Sequence, residues 1–305
     1  MRMVNPRKNH PNAGLNPETD YTEIYRNLST LEFPWDINQA LSFALFRTYA
    51  VPSIGRLLDE TAAFTESTQK RYDDTSILLE VPLIEGFDSA RGKSAIRRIN
   101  QMHHMYDISN DDFRYVLSTF VVVPRRWLAD FGWRDLTDGE ILASVRYYQS
   151  LGKHMGIKDI PTTYDDFADF MDTYEAQHFA FDAGARRVAD ATMELMASFY
   201  PGFAARGVDV FSRSLMDEPL IEAFGYRDPG EIARKVSRGA LKARARLLSF
   251  LPSRRKPQYV HDMPRIRSYP NGFQIDKMGT FAKGCSVQHT PSETAVESQA
   301  SAATR

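Results

Sequence analysis

The chain of 305 residues is 43% hydrophobic and 12% aromatic, which is enough apolar material for one large core. Its 38 Lys and Arg residues nearly balance 39 Asp and Glu residues, so the global charge gives no argument for a nucleic-acid partner. The one cysteine, Cys285, excludes an intramolecular disulfide framework and cysteine-based metal sites, and it suits a reducing compartment.

The sequence contains no pattern typical of a secretory signal peptide, and its longest apolar stretches are too short or too interrupted to cross a bilayer. These features predict a soluble, cytoplasmic protein. Residues 1–20 are rich in Pro, Asn and charge and are predicted to be mobile, and residues 284–305 are predicted to be a disordered tail. Residues 21–275 show helical periodicity without convincing alternation, so we expect an all-α fold with a single helical domain.

Helix signals begin at Pro34, where Asp36 is the expected N-cap, and restart at Pro52. Further helices are predicted through about 66–80 and from Asp88 onward. The stretch that follows predicts two helices joined by a capped turn, and it contains adjacent histidines.

In the first of these two helices, His103 shares one face with three apolar or aromatic residues, Ile99, Met102 and Tyr106. This spacing points His103 toward the core. His104 lies about 100° further round the helix, on the polar side with Arg97, and is expected to be solvated or hydrogen-bonded.

The second helix opens at Ser109, which has a carboxylate three residues later at Asp112, as in a capping box. From Tyr115 to Pro124 the helix is apolar nearly all round, so it is predicted to be a buried, central helix. A buried helix packed against one that carries an inward imidazole is an arrangement that can form a cofactor pocket.

Later helices are marked by capping boxes that begin at Thr137 and Thr163. Gly156 is a predicted C-cap, and the stripe after Thr163 predicts either one long helix or two helices with a break near Gly184. The last helix is predicted to start with Asp228 as its N-cap.

Two histidines on the apolar faces of separate helices, His103 and His178, are the candidate iron ligands. A lone histidine on such a face is more often a hydrogen-bonded core residue than a ligand. Two of them favour a helical heme protein, with imidazole on the iron and the macrocycle between apolar helices.

Glu175 and His178 also form one Glu-x-x-His unit, the kind that di-iron bundles use in pairs, but the chain has no second copy. A mononuclear iron held by two histidines and a carboxylate, for example His103, Asp107 and His178, is a further alternative. Arg97 and Arg98, at the start of the histidine helix, are equally compatible with surface ion pairs or with guanidinium groups that bind a propionate or an oxygen-derived anion.

The stretch 234–256 contains nine basic residues and no acid, with apolar residues at partly amphipathic spacing. It is predicted to be either a solvated helix face or a contact with an anionic membrane surface. Binding of nucleic acid is not expected, because no aromatic residues are interleaved through its first part.

The central stretch resembles the core of the MpaB-like oxygenase family, whose wider superfamily includes the rubber oxygenases (latex clearing protein). The resemblance covers about 30–280, and its most specific block is 98–137. The residues that carry it include Arg98 followed by His103, the run ISNDD at 108–112, Tyr115-Val116-Leu117-Ser118, Pro124-x-x-Trp127 and FGWRDLT at 131–137.

The resemblance implies an all-α oxygenase that uses dioxygen to cleave carbon–carbon double bonds in isoprenoid or other unsaturated apolar chains. In the rubber-degrading branch the cofactor is heme b, and an arginine that matches Arg98 assists catalysis. The histidine that those proteins use as iron ligand is replaced by the segment that begins at Tyr115. The ligand is therefore expected from His103, His178 or Tyr115, with Arg97 and His104 as further cofactor-binding candidates.

Three hypotheses follow from the sequence. The first is a heme-dependent MpaB-like oxygenase with Arg98 and His103 as catalytic residues. The second is a non-heme iron oxidoreductase that uses Glu175, His178 and His103. The third is a helical lipid-binding or membrane-surface protein without catalytic activity.

Overall fold

The computed structural model describes residues 11–62, 66–252 and 254–279. Over these residues the chain forms twelve α-helices and no strand, which confirms the predicted all-α fold. Residues 11–20 form turns, whereas residues 1–10 and the predicted disordered tail at 284–305 lie outside the described part.

In chain order the helices are α1 (Tyr21–Asn27), α2 (Pro34–Thr48), α3 (Pro52–Glu60), α4 (Thr68–Glu85), α5 (Ala90–His103), α6 (Asn110–Phe131), α7 (Asp138–His154), α8 (Tyr164–His178), α9 (Ala183–Ser198), α10 (Ala205–Leu215), α11 (Glu218–Phe224) and α12 (Glu231–Ser249). A π-helical turn, Leu28–Glu32, joins α1 to α2, and single 3₁₀ turns lie at Gly202–Ala204 and Ile275–Lys277. Among the described helices, none is both long enough and apolar enough to cross a membrane.

Helix α6 is the central element of the domain, as its apolar sequence predicts. It packs against α2, α7, α8 and α12, and its buried side chains include Tyr115, Val122 and Leu128, each with no exposed surface. Neighbouring helices cover it on several sides, so almost all of its apolar surface is removed from solvent. This burial is the main source of its stability.

Most predicted helix starts are confirmed. The side chain of Ser109 accepts a hydrogen bond from the Asp112 backbone N–H, and complete capping boxes occur at Thr137 and Thr163. The open question near Gly184 is also settled, because α8 and α9 are separate helices and Asp182 caps the second.

Two predicted N-caps are wrong. Phe33 is the N-cap of α2, while Asp36 lies in the first turn, buried, and accepts a hydrogen bond from Arg244 Nη1 at 2.9 Å. Gly230 is the N-cap of α12, while Asp228 pairs with Arg234 instead. Arg244, far away in the sequence, engages the carboxylate of Asp36, and Arg234, in the following helix, engages that of Asp228. The spacing of N-cap residues reveals neither contact.

A buried ion-pair cluster connects α2, α8 and α11. Arg47 donates to Glu175 through Nε at 2.9 Å and to Asp217 through Nη1 at 2.7 Å. The Tyr115 hydroxyl donates to the same Glu175 at 3.0 Å. Arg47 and Glu175 are less than a tenth exposed, so the removal of either leaves an uncompensated buried charge.

Replacement of Arg47 by Met should lower the free energy of unfolding by about 3 kcal/mol, because Glu175 would keep its charge without its partner. Arg126→Met is the matched control, since the Arg126–Asp172 pair is about half exposed and should cost less than about 1 kcal/mol. Urea unfolding of the three proteins measures both values. Equal losses in the two variants would contradict a structural role for the buried cluster.

Candidate active site

A cavity of about 960 Å³ lies within the helical domain. This volume is at the upper end of the range of ligand pockets, which is roughly 300–1,000 Å³. Side chains from α2, α4, α9, α10 and α12 form most of its wall, and α6 and α7 contribute aromatic residues at its floor. Most of the lining is aliphatic or aromatic, including Trp35, Phe46, Phe120, Trp127 and Phe211. The cavity is therefore suited to a large apolar ligand.

A C-terminal strap, residues 254–279, covers one side of the cavity and is fixed to α4 by buried acids. Glu80 accepts hydrogen bonds from the backbone N–H and from Nδ1 of His261, the latter at 2.6 Å. Asp73 accepts from two strap backbone N–H groups, and Asp74 accepts from the Gly279 N–H at 3.0 Å. These three carboxylates position the strap, which contributes Val260, Pro264, Arg265 and Arg267 to the lining.

Arg71 on α4 is a half-buried cation in the wall of this apolar cavity. Burial lowers the pKa of its guanidinium, and the nearby Tyr49, Asp74 and Tyr106 oppose that shift. Tyr49 also lines the cavity, and burial raises its pKa to about 12 even though the charge of Arg71 favours its ionised form. Arg71 thus places a positive charge against an apolar chamber in which water screens it poorly.

His103 lies at the end of α5, close to Arg71. Burial and the positive charges of Arg71 and His104 together lower the pKa of His103 to about 4, while the Ile99 carbonyl opposes this shift. The Arg71 guanidinium also contacts the neighbouring Met102 sulfur at 4.0 Å. The predicted inward orientation of His103 is confirmed, and its imidazole is neutral at physiological pH.

His103 does not line the large cavity, but its surroundings suit a cofactor ligand better than those of the other predicted residues. Its Nδ1 is buried and, within the described part of the chain, makes no hydrogen bond of good geometry, although the Ile99 carbonyl is near enough to favour the protonated ring. In a neutral imidazole this nitrogen is either a lone-pair donor or an N–H group, and a histidine with a purely structural role would normally use it in a hydrogen bond. Phe113 packs edge-on against the ring, with centroids 5.3 Å apart, and holds it in place.

The other candidate iron ligands have different environments. The prediction that His178 is buried is wrong, because it is exposed at the end of α8, where it stacks on Tyr174 and its Nδ1 bonds to the Tyr174 carbonyl at 2.9 Å. Tyr115 is buried, and burial together with the negative charge of Glu175 raises its pKa well above 10. Phenolate ligation would require that proton to leave, so Tyr115 is unsuited to the role.

The three predicted basic residues of α5 and its C-cap do not line the large cavity. Arg98 is buried, and its Nε donates to the Met278 carbonyl of the strap at 2.5 Å. Arg97 and His104 are exposed and line a separate surface recess of about 400 Å³ together with His154. The position of Arg98 therefore supports a structural contact with the strap. The arginines that line the cavity are Arg71, Arg244, Arg265 and Arg267.

The described residues contain no group of three or more His, Cys, Asp or Glu side chains arranged to hold a metal ion. Glu175 is bound to Arg47 and Tyr115, and His178 is on the surface. The donor set of the non-heme hypothesis is therefore not brought together.

Sequence reasoning missed Arg71 and the three strap-binding acids. Asp73 and Glu80 are seven residues apart and share one face of α4, which is the only local signal that they point the same way. Arg71 lies in the polar run QKRYDD, which looks like a solvated helix start. Its burial results from contacts with elements far away in the sequence.

The stability of the protein should fall between about pH 6.5 and pH 4 because of His103. In the unfolded chain this histidine takes up a proton near its usual pKa of 6.5, whereas in the folded chain its pKa is about 4. Lower pH thus favours the unfolded state over this range. Between pH 7 and pH 5, wild type should lose about 1–2 kcal/mol more than His103→Asn.

Urea unfolding at the two pH values measures this difference, and His178→Asn, at an exposed site, is the control expected to behave like wild type. Parallel losses in wild type and in His103→Asn would contradict the buried, neutral state of His103.

The family model described as ER-bound oxygenase mpaB/B'/rubber oxygenase, catalytic domain, matches residues 39–248. The ER-bound oxygenase mpaB' of Penicillium brevicompactum is 31% identical over 247 residues, which cover 75% of this chain and 58% of that protein. The ER-bound oxygenase mpaB of Penicillium roqueforti (strain FM164) is 32% identical over 223 residues, or 67% of this chain and 74% of that protein.

The ER-bound oxygenase mpaB of Penicillium brevicompactum is 32% identical over 217 residues, which cover 65% of this chain and 55% of that protein. The chain thus spans little more than half the length of the two Penicillium brevicompactum relatives. The family match runs from α2 into α12 and therefore includes most of the helices that enclose the cavity.

Proposed function

Since the chain belongs to the family of ER-bound oxygenase mpaB/B' and rubber oxygenase catalytic domains, we propose that it is an oxygenase acting on an unsaturated, apolar, isoprenoid- or lipid-like chain. The observation that carries this proposal is the apolar cavity of about 960 Å³ with Arg71 in its wall. The neutral His103 lies outside the lining, close enough to Arg71 to feel its charge. Dioxygen is the co-substrate that an oxygenase requires. The cytoplasmic location predicted from the sequence stays a prediction.

The cavity supplies the binding and the environment for this reaction. Its aromatic and aliphatic walls bind an extended hydrocarbon chain by burial of apolar surface, and they exclude bulk water from the reacting double bond. Trp35 and Trp127, both in the wall, offer flat faces on which planar unsaturated groups can pack.

We assign the cofactor role to heme b, with His103 as the protein ligand of its iron. Heme supplies the redox-active iron that makes dioxygen reactive toward a carbon–carbon double bond. His103 is neutral, its Nδ1 is buried without a partner among the described residues, and Phe113 restricts its ring. An imidazole held in this way loses little further freedom when it binds a metal.

Arg71 takes the role that the sequence suggested for Arg98. Its guanidinium stabilises negative charge that develops on oxygen in the cavity, and the low local dielectric strengthens this interaction. Tyr49, Asp74 and Tyr106 lie near the guanidinium and favour its charged form.

A spectrum of protein expressed with added heme precursor tests the cofactor assignment. We expect a Soret band and a positive pyridine hemochrome assay, with the band lost or shifted in His103→Ala. His178→Ala and Tyr115→Phe should keep the wild-type spectrum, because His178 is exposed and Tyr115 is bound to Glu175. Loss of the band in one of these two variants would assign the ligand elsewhere, and the absence of both heme and stoichiometric iron would leave the lipid-binding hypothesis.

Arg71→Met should reduce oxygenation of an isoprenoid test substrate roughly 100-fold, since it removes one preorganised positive group. Arg71→Lys should restore part of the activity, because it keeps the charge and loses only the planar donor geometry. Arg98→Met is the matched control on the adjacent helix and should affect stability more than turnover. Oxygen uptake and product analysis measure the rates, and equal activity in wild type and Arg71→Met would overturn the role of Arg71.

A further inference from the structure

Helix α12 carries an exposed apolar stripe along its whole outer face. The stripe residues follow helical spacings of three and four and share one side, and they are Ile232, Val236, Gly239, Ala243, Leu247 and Phe250. Ile232, Leu247 and Phe250 are 81%, 69% and 82% exposed. The stripe extends over about 27 Å at 1.5 Å per residue, which is a larger apolar surface than a helix normally leaves to water.

Basic residues follow one edge of this outer stripe. Lys235, Lys242 and Arg246 lie on neighbouring turns and are exposed, and Arg254, Arg255 and Lys256 extend the positive charge beyond the helix end. Glu231 is the one acid in the sequence from 231 to 256, and it pairs with Lys235 at 3.0 Å on the surface. The face therefore combines apolar surface with predominantly positive charge.

The opposite face of α12 packs against the rest of the domain. Arg234 donates to the Met216 carbonyl at 2.6 Å, Arg238 to the Ser214 carbonyl at 3.3 Å, and Arg244 to Asp36 at 2.9 Å. Leu241 and Ala245 are buried on that side. These contacts orient the helix, so its apolar stripe points away from the core as a fixed surface.

We infer that the outer stripe of α12 docks on an anionic bilayer, and that the neighbouring mouth of the cavity receives its apolar substrate from that bilayer. Burial of the stripe in the interfacial region supplies the apolar contribution, and the basic edge pairs with anionic headgroups. Antiparallel pairing of two copies through the stripe in a two-fold dimer would instead bring basic edges of like charge close together.

The mouth of the cavity lies beside the stripe. Ala240 of α12 lines the cavity and is exposed, as are Phe203 and Gly207 near the start of α10. Phe203 is 92% exposed, so it stands at the rim in contact with the surroundings. Ala240 lies one residue after Gly239 of the stripe, which puts this lining residue next to the docking surface.

Vesicle co-sedimentation of the full chain tests docking without reference to any activity. Vesicles of phosphatidylcholine with roughly 30 mol % phosphatidylserine should bind the protein, and phosphatidylcholine alone should bind it much more weakly. The double variant Leu247→Asp with Phe250→Asp should lose binding. Lys242→Glu with Arg246→Glu should weaken it at least about ten-fold, because each basic residue near the surface contributes about 1 kcal/mol.

Matched controls separate docking from general effects of charge and polarity. Lys153→Glu with Lys158→Glu makes the same charge change at exposed positions on the α7 side, and Phe181→Asp removes an exposed aromatic residue outside the stripe. Both controls should bind like wild type, and circular dichroism should show that every variant keeps its helices. The proposal would be overturned if the stripe variants bound vesicles as well as wild type does. It would also be overturned if light scattering showed a dimer that the Leu247→Asp with Phe250→Asp variant dissociates.

Entry through the mouth rests on the proposed apolar substrate and has its own measurement. A fluorescent polyene fatty acid dissolved in the vesicles should enter the cavity and accept energy from Trp35 and Trp127. Ala240→Phe should slow this loading several-fold, and Ala243→Phe, which is exposed on the stripe and does not line the cavity, should not. Equal loading in the two variants would overturn entry at this mouth, while the co-sedimentation result for docking would be unaffected.

Discussion

A cavity of about 960 Å³ removes the packing contacts that its walls would otherwise make across it. The helices around it must therefore be held from their outer sides and at their ends. In this protein buried charged groups provide much of that support. Arg47, Glu175 and Asp217 connect α2, α8 and α11, and acids of α4 bind the strap. Directional ion pairs and hydrogen bonds fix distances between elements that do not fill the space between them.

The same arrangement explains why a cation can lie in an apolar wall. Arg71 is on α4, the helix that carries Asp73, Asp74 and Glu80, so a single rigid element supplies both the support of the strap and the charge of the site. Burial disfavours the charged form of the Arg71 guanidinium, and nearby polar groups offset part of this effect. A movement of the strap would thus change the environment of Arg71 and the shape of the cavity together.

The sequence was sufficient for the fold class, the central helix and most helix starts, because periodicity and capping are local properties. Thr137 and Glu140 bond to each other whatever the rest of the chain does. Asp36 and Asp228 were assigned wrongly because an arginine outside the local pattern engages each of them. His178 shares the stripe spacing of buried residues but lies in the last turn of α8, where the chain leaves the core and the stripe becomes exposed.

The site was harder to predict than the fold for a reason that lies in the chemistry itself. A zinc or di-iron centre takes three or more protein ligands, and their spacing leaves a signature in the sequence. The heme that we propose would bring four nitrogen ligands of its own, so the protein would need to supply as little as one imidazole. A single histidine leaves no pattern of ligand spacing in the sequence, and its neighbours Arg71 and Phe113 come from other helices. Among the described histidines, His103 is distinguished by a buried nitrogen that makes no hydrogen bond, and that property exists only once the helices have packed.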